Sequence, residues 1–137
     1  MSSLGQLSGR LDHHLQIVGD LTKALLALRA QLLGKLESLK LTAADVEKAR
    51  ETVAHFLEGL SPVLGGQAPV HEEHRVIKER LVQSGEQPVD WADDFSKLVT
   101  QLRAGNIPDT EQLDKVMRIV GYLQGEVAED VRRLRSR

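Results

Sequence analysis

The most regular feature of the chain is a run of positions spaced alternately three and four apart. It passes through Leu4, Leu7, Leu11, His14, Val18, Leu21, Leu25, Leu28, Leu32, Lys35 and Leu39, and nine of these eleven positions are aliphatic. That spacing holds one face of an α-helix apolar, and no proline interrupts it. One helix is therefore expected from about Ser3 to Lys40, about 55 Å long at a rise of about 1.5 Å per residue. With Leu4 at heptad position a, the flanking e and g sites include Leu15, Ile17, Ala24 and Leu36, with few charges among them. A two-stranded zipper sets its pairing with charges at those sites, so a bundle helix touching two or more neighbours fits better. Gly5, Gly9, Gly19 and Gly34 fall off the seam, each at a cost of about 1 kcal/mol relative to alanine inside a helix. Gly19-Asp20 is the expected place for a bend.

Four shorter patterns follow. Thr42 and Asp45 read as a capping box, with aspartate in the usual Glu/Gln place. They open a second helix from about Ala43 to Leu60, with Val46, Ala49, Val53, Phe56, Leu57 and Leu60 on one face. Ser61 to Pro69 holds two prolines and the Gly65-Gly66 pair, which predicts a helix end and a linker able to act as a hinge. A third helix is expected from Val70 to Ser84, with Val70, Ile77 and Leu81 inward and Gly85 just past its end. Asp90 reads as the N-cap of a fourth helix whose face is Trp91, Phe95, Leu98, Val99 and Leu102. A fifth runs from Asp109 or Thr110 to about Arg135, facing inward with Leu113, Val116, Met117, Val120, Leu123, Val127, Val131 and Leu134. No alternating β-branched run supports a strand.

The predicted fold is therefore all-α: a helical bundle of about five helices with a long N-terminal heptad-patterned helix. It forms one domain over 1–137, divided into 1–60, the 61–69 linker and 70–137. Helices two to four are too short to cover the whole first seam singly. The helix must bend, or short helices must stack along it, or a second chain must cover the remainder. Uncovered, the seam would exceed the apolar surface that monomers expose. A homodimer is expected, with Leu11, His14, Val18, Leu21, Leu25, Leu28 and Leu32 as the partner-binding residues. His14 interrupts the seam at a d position, where a polar side chain can fix register or oligomeric state.

Composition narrows the function. The chain has 137 residues, 18 basic and 20 acidic side chains and no cysteine. Disulfides, thiolate catalysis and cysteine-ligated metal are thereby excluded. A formal net charge of −2 gives no global pull toward nucleic acid. Phe56, Trp91, Phe95 and Tyr122 are the only large aromatics, too few for a base-stacking platform. No apolar run approaches the roughly 20 residues a membrane span needs, and the N-terminus lacks a secretory pattern. The expectation is a cytoplasmic protein with no membrane partner.

Three clusters invite chemistry. His71 and His74 are i, i+3 neighbours that could share a divalent ion, with His55 as a third ligand, giving a metal- or cofactor-binding bundle as the alternative function. The spacing matches neither HExxH nor the di-iron Glu-x-x-His pattern. The simpler reading makes 71–74 a solvated first helical turn whose acids favour the dipole, and no metal or cofactor is expected. Asp90, Asp93 and Asp94, with Glu86, also fit a helix N-terminus better than a cation site. The C-terminal Arg132, Arg133, Arg135 and Arg137 could meet phosphates, a weaker alternative. As helix-end cations diluted by Glu126, Glu129 and Asp130, they leave nucleic-acid binding unexpected. No nucleophile, base and orienter are specified together, so catalysis is not expected. The function predicted is a non-catalytic helical protein–protein interaction or regulatory module, self-associating through its N-terminal helix.

Overall fold

The computed structural model describes residues 4–136. The expected helix start at Ser3, the side chain of Leu4 and Arg137 lie outside the described residues. Among the described residues there are five helices and no strand: α1 (Leu4–Leu32), α2 (Ala43–Leu64), α3 (Glu72–Gln83), α4 (Pro88–Arg103) and α5 (Thr110–Arg135).

The first helix is shorter than its heptad pattern. Gly34 adopts φ +67°, its N–H donates to the carbonyl of Gln31, and that of Lys35 donates to Ala30 at 2.8 Å. These are the paired bonds of a Schellman stop, with glycine at the left-handed position. Gly34 therefore ends α1, whereas Gly19 lies within an unbroken helix. Lys35 and Leu39 continue the spacing but belong to a turn that ends on Lys40, itself at φ +58°. The expected extension to Lys40 is thus corrected by one glycine.

The second helix errs the other way. It begins with the expected box, Thr42 Oγ1 accepting from Asp45 N–H and Asp45 accepting from Thr42 N–H. It then continues through Pro62 to Leu64, four residues into the expected linker. A proline near the C-terminus removes a single helical bond. Burial of Val63 and Leu64 outweighs that loss, and Ser61 Oγ donates to the Ala92 carbonyl at 2.7 Å, tying the turn to α4.

Two further boundaries move. The N-cap of α4 is Gln87 with Pro88 at the first helical position, and Asp90 lies inside the first turn. Proline's fixed φ suits that site, where its missing N–H costs nothing. Helix α3 starts at Glu72, so Val70 is outside it and 88% exposed. Its first turn carries Glu72 and Glu73, which complement the positive helix end. On α5 the inward set includes Ile119, fully buried, while Met117 lies at the outer edge, 48% exposed.

Helices α1 and α5 run antiparallel, linked by Arg10 with Asp130 at one end and Arg29 with Asp114 at the other. α1 also packs on α2, and α2 on α4. Asp94 of α4 with Lys115, and Glu86 in the turn before α4 with Arg118, tie that side to α5 and complete a four-helix ring. Phe95, Leu57, Leu28, Ile119 and Leu123 fill its centre, each with no exposed surface. The short α3 lies across the end of the ring, mainly on α5. It contributes Val76, Ile77 and Leu81 to the common core. The C-terminal part of α5 and the N-terminal turns of α3 thus meet the first half of α1. The seam of α1 is covered chiefly by the two longer helices α2 and α5.

Candidate functional site

The seam residues chosen as a partner surface are mostly interior. His14, Val18, Leu21, Leu25 and Leu28 are buried within one chain, Leu11 is half-buried, and Leu32 is 41% exposed. The surface that α1 does leave open is the neighbouring stripe Leu15, Gly19, Thr22, Leu26 and Arg29, continued one residue past its end by Leu33. These positions again alternate by four and three, which aligns them along one side of the helix. Leu15, Leu26 and Leu33 expose about half of their surface or more, at 48%, 54% and 59%. Met117 of α5 borders them, 3.6 Å from Arg29 Nη2 through its sulfur, and Thr22, Leu26, Met117 and Val120 line a shallow apolar groove of about 230 Å3. The sequence signal for this stripe was the uncharged e position of Leu15, but burial by the other helices decided which apolar stripe stayed outside.

The histidines form the second feature. His13 from α1, His55 from α2 and His71 and His74 at the start of α3 line one open cleft of about 650 Å3, with Phe56 and Glu73. His74 is buried rather than solvated: its ring meets Phe56 edge-on at 5.8 Å and His71 at 5.3 Å. Gly59 on α2 makes room for it, since a Cβ there would stand 3.4 Å from His74 Cε1. Glu73 is buried too, with its Oε2 3.3 Å from His13 Nε2. The expectation of a solvated first turn is corrected: α3 packs this turn against α1 and α2. Among the described residues, no three His, Asp or Glu side chains are placed to hold a metal ion.

Behind the cleft lies a polar junction. His14 has no exposed surface and neither ring nitrogen has a hydrogen-bond partner. Burial pushes its pKa below the usual imidazole value, partly offset by nearby Glu73. Burial lowers that of His74 in the same way. Asp130, equally buried, is fully engaged: Arg10 grips both oxygens at 3.1 and 2.7 Å and Arg133 donates at 2.8 Å. Glu72 accepts from Arg75, which holds its carboxyl below the usual range.

The remaining clusters disperse. Asp93 pairs with Lys97 at 3.0 Å, Asp94 with Lys115, and Glu86 with Arg118 at 3.0 Å, so the acids do not converge. Arg133 of the basic terminus is taken up by Asp130 and Glu129, whereas Arg132 and Arg135 are exposed. No helix among the described residues is long and apolar enough to cross a membrane. Comparison with protein families, curated proteins and solved structures finds no match.

Proposed function

We propose that the chain is a non-catalytic helical interaction module that pairs with a second copy of itself through the outer stripe of α1. The observation that carries the reading is the alignment of Leu15, Leu26 and Leu33, each about half exposed or more, beside exposed Met117. Small Gly19 and Thr22 lie between them, which lets two such helices approach closely. A closed two-fold contact uses the same patch on both copies. Charge favours the antiparallel arrangement: with Leu15 of one copy opposite Leu33 of the other, exposed Asp12 of one copy comes close to exposed Lys35 of the other. A parallel pair would stack like charges. A cytoplasmic setting belongs to the same proposal.

Light scattering across the micromolar range tests it. A dimer mass is expected for the natural chain, and a helical monomer for the Leu26→Glu/Leu33→Glu variant. A monomer at high micromolar concentration would remove the reading.

The histidine-lined cleft favours a second reading, a metal- or cofactor-binding bundle, because it gathers four imidazoles from three helices. A ligand at about 100 times its dissociation constant stabilises a fold by about 2.7 kcal/mol. A chelator-induced fall in melting temperature, abolished in His71→Ala/His74→Ala, would promote this reading over the first.

A further inference from the structure

The five histidines of the chain occur at 13, 14, 55, 71 and 74, and the fold gathers them at one end, where α3 meets α1 and α2. We propose that this junction is an acid-sensitive latch, in which protonation of His14 and its neighbours releases α3 while the four-helix ring stays folded.

The geometry makes an imidazolium at His14 difficult to accommodate. The side chain is fully buried, and neither nitrogen has a partner. From α1 it faces Arg10 and His13, from α3 Glu72 and Glu73, and from α5 Asp130. Each carboxylate is already committed. Asp130 holds Arg10 and Arg133, Glu72 holds Arg75, and Glu73 lies 3.3 Å from His13. A charged His14 must therefore draw Glu73 from His13 or move toward water. Either change displaces the first turn of α3.

Like charges add to the effect. The ring centres of His13 and His14 are 6.0 Å apart and those of His71 and His74 are 5.3 Å apart. His13 disfavours a positive charge on buried His14, and His71 one on buried His74. Helix α3 is the element least able to resist. It has 12 residues, the fewest of the five helices, and its first buried side chains are Glu73 and His74 themselves. By contrast, α2 and α4 share an extensive interface with no histidine buried in it. Burial keeps His14 and His74 neutral near pH 7, so the release belongs below the ordinary imidazole value of 6.5.

Amide hydrogen exchange at pH 7.5 and pH 5, corrected for intrinsic rates, reads the latch directly. At pH 5 the protection of residues 72–83 should fall by about tenfold or more. Protection of the α2 and α4 amides should change far less. In His14→Leu, which restores an aliphatic seam, the extra loss in α3 should shrink; His14→Gln serves the same purpose should the leucine variant misfold. Unchanged α3 protection in the natural chain overturns the proposal. So does a loss that α2 and α4 share equally, or an undiminished loss in a folded His14 variant.

Discussion

Arg10 and Asp130 stand 120 positions apart in sequence and form a two-pronged pair, Nε to Oδ2 at 3.1 Å and Nη2 to Oδ1 at 2.7 Å. The pair joins the first turns of α1 to the last turns of α5 and fixes their antiparallel register. Asp130 has no exposed surface, so its charge depends on these partners. Removing one member of a buried pair typically costs about 3–5 kcal/mol, because the other charge is left uncompensated. Arg10→Leu should approach the lower end, since Arg133 remains. Urea unfolding of this variant, compared with Arg103→Ala, checks the claim. The exposed Arg103 pairs with Glu51 and Glu58 should matter by less than about 1 kcal/mol.

The end of α2 separates a packed helix from a free linker. Leu64 is 1% exposed, and truncating such a leucine to alanine costs about 2–5 kcal/mol. Leu64→Ala should lower the denaturation midpoint accordingly. A change within about 0.5 kcal/mol, as for an ordinary surface substitution, would mean that the segment behaves as the flexible connection its Gly and Pro content suggests.

Two glycines should respond in opposite directions to alanine. Gly121 lies within α5, and nothing stands within 4 Å of a Cβ built there. Gly121→Ala should raise stability by about 0.5–1 kcal/mol through helix propensity and the unfolded chain. At Gly34 the φ of +67° leaves space but strains any side-chain-bearing residue. Gly34→Ala should lower stability by about 1 kcal/mol or more. Thermal unfolding of both variants measures the contrast.

Global stability should also depend on pH through the buried imidazoles. His14 and His74 have folded pKa values below the ordinary 6.5. As pH falls below that value the unfolded chain binds protons that the folded one refuses, so unfolding becomes easier. Stability should therefore be flat above about pH 7 and decline through the pH 6 region. Glu72, whose carboxyl is held below its usual 4.5, adds a separate loss at more acid pH. A midpoint that does not move between pH 7.5 and pH 5.5 would contradict this assignment.

Much of the helical order was legible because period and caps acted locally. The Thr42 and Asp109 N-termini follow from side chains three residues from their bond partners, and the inward faces of α4 and most of α5 follow from periodicity. Three boundaries needed context that spacing does not carry. Gly34 could be read as a tolerated helix glycine until its φ was known, and Pro62 as a stop until Val63 and Leu64 were found buried. Asp90 resembled a cap, but Pro88 sets the start earlier. The candidate sites were less legible still. Heptads identify apolar stripes on α1 without telling which neighbour covers each. The convergence of His13, His55, His71 and His74 depends on how α3 crosses the bundle, a relationship between distant segments.

Cross-linking between copies tests the self-association proposal most directly, and the natural absence of cysteine leaves a clean background. A disulfide requires Cα atoms within about 7 Å, so it reports specific apposition rather than loose encounter. Leu15→Cys and Leu33→Cys chains, mixed and oxidised gently, should yield a dimer in which peptide mapping finds residue 15 of one copy joined to residue 33 of the other. Monomer throughout, or links only between identical positions, would contradict antiparallel pairing through the outer stripe of α1.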